Sequence, residues 1–177
     1  MAENILTQDM VKQLFEYEPE TGSLIRKVAA ANQTKAGQTV GTLRSDGYLK
    51  VQVNRKGWKV HRIIFLLHHG WLPREVDHIN GNKTDNRIEN LRAATTQQNQ
   101  QNCGMSARNT SGYKGVSFNC QSKKWQAAAR AIISGQRKKL ALGTYETPEA
   151  AAEAYQRYAQ RSHGEFYFSG VRATNRG

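Results

Sequence analysis

A polar stretch from residue 95 to residue 111 constrains the fold of this chain more than any other feature. It is rich in Thr, Gln, Asn, Ser and Gly and has almost no large apolar side chain, so no hydrophobic core can be built across it. We expect the end of a helix there, and then a linker at residues 103–111. The 177 residues would thus form a first domain at 1–102, a second at 112–170 and a tail at 171–177.

Hydrophobic periodicity predicts both helices and strands in the first domain. Apolar residues recur at helical spacing over residues 6–15, and residues 18–22 are then typical of a turn. Alternating apolar and polar residues at 49–60, interrupted by a turn at 54–57, predict a β-hairpin. The apolar cluster at 61–69, followed by Gly70, predicts a short buried helix that ends at the glycine.

The second domain has the pattern of three short strands followed by one helix. Residues 115–118, 125–133 and 138–142 predict the strands, since turn-forming clusters separate them. Thr147 can cap the helix, Pro148 occupies its first position and Gly164 follows its end. We therefore expect a small three-stranded antiparallel sheet packed on one helix, and an α+β fold class for the whole chain.

The charge balance indicates a polyanion as the partner. The chain has 26 basic and 14 acidic residues, and the excess is concentrated from Cys103 onward, where 12 basic residues stand against 4 acidic ones. A basic RNA-binding or ribosomal protein has the same composition, so motifs have to decide. The longest apolar run, residues 63–67, is too short to span a membrane, and we expect a cytoplasmic protein without a membrane or small-molecule partner.

Residues 75–83 combine a carboxylate and an imidazole just before a glycine turn. Asn90 follows His78 by 12 residues, and Asn99 follows Asn90 by 9. Hydrolysis of a phosphodiester needs an activated water and a group that stabilises the charge on the phosphate. A neutral histidine is a good general base near pH 7, and a hard divalent cation prefers carboxylate, amide and water oxygens. This spacing resembles that of the HNH nuclease family, in the subclass of phage and intron homing enzymes.

The resemblance to the HNH family implies a role for each residue of the motif. It implies His78 as the general base, Asp77 and Asn99 as metal ligands, and Asn90 as the residue that fixes the loop and the ring of His78. The implied ββα-metal core covers residues 75–102, with strands at 75–79 and 91–94 and a helix at 95–102. The metal is expected to be Mg²⁺, or Mn²⁺, and not zinc, because Asn99 stands where some members have a histidine.

A regular strand would point Asp77 and His78 to opposite faces, although both are expected to serve one phosphate. We therefore expect the strand to be irregular at this point. Lys83, Arg87 and Arg92 are candidate phosphate contacts near the site, or alternatively solvated charges. His61 is expected to be a packing residue rather than a phosphate contact.

The second domain resembles the ethylene-response-factor (APETALA) DNA-binding family. The resemblance rests on residues 111–116, 124–127, 142–145, 149–155 and 163–165. It implies that one face of the sheet lies in the major groove of double-stranded DNA. The implied contact residues are Lys114, Ser117, Asn119, Trp125, Arg130, Lys139 and Thr144. Trp125 could equally pack under the helix, and several positions that usually hold Arg are different here, which favours contacts to phosphates over bases.

The leading hypothesis is a monomeric, metal-dependent DNA endonuclease of the homing type that leaves 5′-phosphate and 3′-hydroxyl ends. The alternative is a noncatalytic, sequence-preferring DNA-binding regulator in which the second domain does the work. The sequence leaves open the target site, nicking against double-strand cleavage, and a role in homing, restriction or phage DNA processing. If the gene belongs to a phage, the protein would act in the cytoplasm of the bacterial host.

Overall fold

The computed structural model describes residues 6–29, 35–102, 105, 109–133 and 136–166. The chain divides into two compact units, Met1–Gln100 and Gln101–Gly177. Of the linker predicted at residues 103–111, only residues 105 and 109–111 are among those described, and the tail predicted at 171–177 lies outside them. Each unit is described by itself.

The first unit opens with a helix and a small sheet. Helix α1 (Gln8–Leu14) begins at Thr7, whose side chain accepts a hydrogen bond from the backbone of Met10. Strands β1 (Phe15–Glu18), β2 (Ser23–Arg26) and β3 (Thr39–Val40) form an antiparallel sheet in that order. The helix predicted at 6–15 is present, but Phe15 already belongs to a strand, and the β1–β2 hairpin was not predicted.

The second sheet of this unit leads into its longest helix. Strands β4 (Thr42–Leu43), β5 (Leu49–Val53) and β6 (Lys56–Lys59) are antiparallel, and helix α2 (Val60–His69) follows directly. Asn54 and Arg55 have φ of 51° and 63°, as in a two-residue turn whose twist matches the strands. The predicted hairpin is confirmed with a tighter turn than 54–57, and the helix predicted at 61–69 is confirmed with Gly70 in the left-handed conformation at its end.

Helix α2 is the centre of the hydrophobic core of the first unit. Its buried side chains pack with residues from α1, β1 and β2 and with the strands that follow α2. The largest fully buried side chains of the chain include Phe15, Leu24, Ile63 and Ile64. At about 25 cal/mol per Å² of apolar surface, each such side chain contributes roughly 1.5–3 kcal/mol to folding. This core fixes the elements that carry the motif of residues 75–99.

Two strands and a helix follow α2 at the positions expected from the motif. Strands β7 (Glu75–His78) and β8 (Leu91–Ala94) are antiparallel, and helix α3 (Thr96–Asn102) follows β8. Thr95 and Gln98 exchange hydrogen bonds at the start of α3, each accepting from the backbone N–H of the other, as in a capping box. The expected irregularity of the first strand is wrong, because the β7–β8 register is unbroken through His78.

The second unit is a three-stranded sheet with one helix. Strands β9 (Val116–Asn119), β10 (Lys124–Ile133) and β11 (Gln136–Tyr145) are antiparallel with β10 in the centre, and helix α4 (Pro148–His163) packs on them. All four predicted elements are confirmed, although β11 is longer than the strand predicted at 138–142. Thr147 caps α4, and Gly164 follows it as predicted.

The core of the second unit is built from small side chains, which bring α4 close to the sheet. Ala127 and Ala129 of β10 are buried together with Ala151 and Ala159 of α4. Gly115 has a φ of +75°, and a Cβ atom at that position would lie 2.1 Å from the Tyr155 ring. A side chain at position 115 would therefore push α4 away from the sheet.

The two units together give the chain a mixed α+β fold with small antiparallel sheets. This agrees with the fold class predicted from the sequence. In the part of the chain that the structure describes, no helix has the length and apolar character needed to cross a membrane.

Candidate active site

His78 is the last residue of β7, and its imidazole is buried, with 3% of its surface exposed. Its Nε2 lies 3.0 Å from Oδ1 of Asn86, whose side chain is also buried. An amide oxygen can only accept, so Nε2 is the ring nitrogen that carries the proton. This tautomer puts the basic lone pair of His78 on Nδ1.

Two further rings surround the imidazole of His78. The ring of His61, in the first turn of α2, meets it edge-on with 4.7 Å between centroids, and Tyr48 is 5.1 Å from His61 and 6.0 Å from His78. Burial lowers the pKa of His61 to about 2. Burial also lowers the pKa of His78, against the opposing effect of its hydrogen bond to Asn86. Both imidazoles are therefore neutral at pH 7.

Asn90 holds the loop that follows His78. Its Oδ1 accepts from the backbone N–H of Asn80 at 2.9 Å, and its Nδ2 donates to Asn80 Oδ1 and to the backbone oxygen of Asp85. Its backbone oxygen accepts from Ile79 N at 2.9 Å. These are the loop contacts that the sequence analysis expected of Asn90. The hydrogen bond to the His78 ring comes instead from Asn86, which the sequence analysis did not single out.

Asp85 and Arg87 stabilise the same loop from its exposed side. Arg87 donates from Nε and Nη2 to the two carboxylate oxygens of Asp85, both at 2.8 Å. The hydrogen bonds from Arg87 are the largest of the effects that lower the pKa of Asp85 to about 2. Arg87, a candidate phosphate contact, thus has its charge largely engaged within the loop.

Asp77 lies beside Arg92, which is its cross-strand partner in the β7–β8 register. Arg92 donates from Nε to Asp77 Oδ2 at 3.0 Å, and its Nη2 lies 3.0 Å from the same oxygen. The Asp77 side chain is 5% exposed and the Arg92 side chain 13%, so the ion pair is mostly shielded from water. Separate roles were predicted for these two residues, a metal ligand and a phosphate contact, and the structure pairs them with each other.

Asn99 lies in α3, is half-buried, and donates its backbone N–H to the oxygen of Thr95. Together with Asp77 it offers only carboxylate and amide oxygens. Among the described residues there is no cluster of three or more His, Cys, Asp or Glu side chains that could hold a metal. Carboxylate and amide oxygens are the ligands that a hard cation such as Mg²⁺ prefers, whereas zinc prefers nitrogen and sulfur ligands. A carboxylate has about four acceptor positions, so an ion pair to Arg92 does not exhaust those of Asp77.

Lysine side chains lie on the ring of Tyr48 beside the two histidines. Lys59 Nζ is 3.7 Å and Lys83 Nζ 4.5 Å from the centroid of this ring, and Lys83 also donates to the backbone oxygen of Asp46 at 2.7 Å. Lys83 was predicted as a phosphate contact, whereas Tyr48 and Lys59 were missed. Lys59 lies two residues before His61 in the sequence, and this proximity is the signal by which it could have been found.

Comparison with known proteins gives an independent indication of the family. A sequence model of the HNH endonuclease family matches residues 59–101. Protein 3.8 of Escherichia phage T7 is 31% identical over 91 residues, which cover 51% of this chain and 71% of the relative. The chain belongs to the HNH endonuclease family. Membership indicates a nuclease that acts on DNA. No solved structure matches the chain.

The family match contains every residue of the candidate site that the sequence analysis proposed in the first unit. His78, Asn86 and Asn90 form one hydrogen-bonded group within it, and Asp77 and Arg92 form a second. The β1–β2 hairpin, Tyr48 and the second unit from residue 102 onward lie outside the matched residues. What those segments contribute therefore has to be argued from their own contacts.

In the second unit, the candidate DNA contacts fall on both faces of the sheet. Ala127 and Ala129 point toward α4, so their neighbours on β10 point away from it. The register puts five candidates on that outer face. Ser117 and Thr144 pair with Gln126, Asn119 pairs with Lys124, and Arg130 and Lys139 pair with each other. Asn119 also caps the turn after β9 by accepting from the backbone of Gln121 and Ser122.

The remaining two candidates of the second unit lie elsewhere. Trp125 packs against the core between the sheet and α4, and its ring is tilted against that of Phe118 with 5.1 Å between centroids, in agreement with the packing alternative stated for it. Lys114 is half-buried in the turn before β9. On the polar outer face of the sheet, the exposed cations Arg130 and Lys139 thus lie directly opposite one another.

Proposed function

We propose that this HNH protein is a metal-dependent DNA endonuclease in which His78 is the general base. The observation that carries the proposal is the hydrogen bond between the buried His78 and the buried Asn86. It supports an imidazole that is neutral at pH 7, held in one tautomer, and able to take a proton on Nδ1. Those are the properties required of the base that activates a water for attack on a phosphodiester.

The other residues of the site have supporting roles in this proposal. Asp77 and Asn99 would hold one Mg²⁺ or Mn²⁺ ion, which supplies Lewis-acid stabilisation of the phosphate and leaving-oxygen charge when bound. Asn90 keeps the loop after His78 in place. Because His78 is the last residue of β7, a phosphate that lies across the end of this strand can be contacted by side chains from both faces of the strand. The products would have 5′-phosphate and 3′-hydroxyl ends.

The lysines beside Tyr48 support a phosphate-binding role near His78. Lys83 and Lys59 bring two positive charges to the ring of Tyr48, which neighbours His61 and His78. Like charges held near one another repel, and the negative charge of a DNA backbone relieves that repulsion. Arg87 and Arg92 are engaged with carboxylates and are weaker candidates for this contact.

The second unit is proposed to hold double-stranded DNA through the outer face of its sheet, as the resemblance to the ethylene-response-factor family implies. Arg130 and Lys139 are paired across β10 and β11, and like charges directly opposite one another destabilise a sheet. A phosphate between them would offset that cost. With few arginines on this face, the contact is expected to read the backbone more than the bases.

Cleavage of supercoiled plasmid with and without a divalent metal tests the nuclease proposal. We expect Mg²⁺ or Mn²⁺ to support nicking, and EDTA to abolish it while DNA binding persists. A single site cuts one strand, so a monomer should give open-circular product before linear product. A folded protein that binds DNA but never cuts it in either metal would overturn the proposal and favour the noncatalytic regulator. Tight RNA binding without metal-dependent cleavage would favour an RNA-binding protein.

Removing the cations of the outer sheet face tests the DNA-binding role of the second unit. In the double variant Arg130→Ala/Lys139→Ala we expect weaker DNA binding. The slope of log K against the logarithm of the salt concentration should be smaller in magnitude by about 2, because two phosphate contacts are lost. Fluorescence anisotropy at several salt concentrations measures both. Arg157→Ala on α4 removes an exposed cation that is paired with Glu153, and serves as the control. Equal slopes in the double variant and wild type would contradict the role.

The biological setting proposed for the enzyme takes its support from the phage origin of one relative. Protein 3.8 belongs to a phage, which favours a phage-type homing enzyme that acts in the cytoplasm of a bacterial host. Homing, restriction and phage DNA processing all use a nuclease of this kind. The length of the recognised DNA site distinguishes homing from restriction and from phage DNA processing.

A further inference from the structure

We propose that the β1–β2 hairpin and Asn86 together position the imidazole of His78. Tyr17 and Gly22 of the hairpin hold the backbone of residues 86–88, and Asn86 in turn holds His78 in the tautomer protonated at Nε2. The inference rests on the proposed function in one respect, since it takes His78 as the base whose orientation matters.

The first contact is the hydrogen bond between Asn86 and His78. Asn86 is among the largest fully buried side chains of the chain, with 1% of its surface exposed. Water therefore does not compete for the 3.0 Å bond to Nε2, which is stronger in such surroundings than at the surface. A neutral imidazole without this acceptor can carry its proton on either nitrogen. Only one of the two tautomers leaves Nδ1 able to accept a proton.

The second contact joins the hairpin to the chain just after Asn86. The backbone N–H of Ile88 donates to the phenol oxygen of Tyr17, in β1, at 2.8 Å. The two residues are 71 positions apart in the sequence. Ile88 begins a short 3-10 helix, where a backbone N–H lacks an internal partner, so Tyr17 satisfies a donor that the local fold leaves open.

The third contact is a close approach of two backbones. Gly22 closes the β1–β2 turn with a φ of +71°. A Cβ atom added there would lie 2.5 Å from the nitrogen of Arg87 and 2.7 Å from the carbonyl carbon of Asn86. Since both neighbours are backbone atoms, they cannot move aside as a flexible side chain could. The turn therefore rests directly on the peptide that carries Asn86.

These three contacts form a chain from the hairpin to the proposed base. The hairpin touches residues 86–88 at Tyr17 and Gly22, and Asn86 touches the His78 ring. The Asp85–Arg87 pair does not replace this support, because its hydrogen bonds lie within residues 85–87. The hairpin lies outside the residues matched by the family model, so its positioning role is inferred from its own contacts.

Variants of Asn86 and Tyr17 test the proposal by two measurements. The first is the ring ¹⁵N spectrum of His78, which distinguishes the two tautomers. The second is the nicking rate as a function of DNA concentration. Asn86→Ala should give a mixture of tautomers and lower kcat by about 10- to 100-fold with KM for DNA unchanged. Asn86→Asp keeps an acceptor, so the tautomer should persist.

The variant Asn86→Asp separates positioning from a merely structural role. An aspartate at this position still accepts from Nε2 of His78, so Nε2 should stay protonated in the ring ¹⁵N spectrum, and kcat should stay closer to the wild-type value than in Asn86→Ala. A folded Asn86→Asp protein in which the proton leaves Nε2 would overturn the link between position 86 and His78.

Tyr17→Phe removes only the hydroxyl that accepts from Ile88, and Tyr113→Phe is its matched control. The Tyr113 hydroxyl bonds Glu149 in the second unit. We expect Tyr17→Phe to lower kcat and broaden the His78 ring signals, and Tyr113→Phe to change neither. Equal behaviour of the two would overturn the role of the hairpin.

The two measurements also keep this inference separate from the proposed function. The tautomer is observed without any cleavage. If the wild type holds the Nε2–H tautomer, loses it in Asn86→Ala, and yet cuts no DNA, the nuclease proposal fails and the positioning stands. If the wild type cuts DNA and Asn86→Ala leaves both tautomer and kcat unchanged, the positioning fails alone. Should Asn86→Ala not fold by circular dichroism, Asn86→Asp and Tyr17→Phe still decide the matter.

Discussion

Replacing His78 by alanine is expected to lower the nicking rate by about 10²- to 10⁴-fold, the usual contribution of a positioned general base. DNA affinity should change little, because the buried imidazole offers no charge to the phosphates at pH 7. Plasmid nicking under single-turnover conditions measures the rate, and anisotropy measures the affinity. His68→Ala, which removes an exposed imidazole from the end of α2, is the control.

The wild-type pH profile provides an independent check on His78. Burial lowers its pKa below the ordinary value of 6.5. The neutral base accumulates as the pH rises through that lowered pKa, so the acid limb should lie below pH 6.5 and the rate should be level at neutral pH. His78→Ala should lose this limb. A His78→Ala protein that nicks at the wild-type rate would remove His78 from the mechanism.

Most elements of the fold could be predicted because their signals are local. Helix α4 has a capping threonine, a proline in its first turn and a glycine after its end, and all three act within a few residues. The β1–β2 hairpin was missed because Phe15 continues the helical spacing of α1 while it also begins the alternation of β1. Where two periodicities overlap, tertiary packing decides, and Phe15 is buried in the core as a strand residue.

The candidate site was predictable in its residue types and less so in its pairings. The spacing of Asp77, His78, Asn90 and Asn99 is visible in the sequence without knowledge of the local geometry. The partner of the His78 ring is different. Asn86 reaches it because the loop of residues 79–90 folds back on itself through hydrogen bonds of Asn90, and such a loop path has no periodic signal.

The pairing of Asp77 with Arg92 also depends on the register between two strands. A shift by one residue would put Arg92 on the other face of the small sheet, so the ion pair follows from the length of the loop that connects β7 to β8. This pairing has an energetic consequence that the motif alone does not suggest. The buried carboxylate of Asp77 and the mostly buried guanidinium of Arg92 stabilise the packing of β7 on β8, apart from the metal-binding role proposed for Asp77.

Removing the carboxylate of Asp77 is therefore expected to have two separate effects. Asp77→Ala should abolish metal-dependent nicking. It should also lower the free energy of unfolding by about 3–5 kcal/mol, because Arg92 is left as a buried cation without its partner carboxylate. Urea denaturation in EDTA measures stability without a contribution from bound metal, and the plasmid assay measures nicking.

The double variant Asp77→Leu/Arg92→Met separates the two effects. It replaces the buried ion pair by apolar side chains, which is often neutral for stability, so the unfolding free energy should return close to the wild-type value. Nicking should remain abolished, because the oxygen ligand is still absent. Recovery of stability together with nicking would show that Asp77 serves the fold and not the chemistry. Loss of both, in a protein that still folds, would show that the ion pair stabilises the site more than its apolar replacement can.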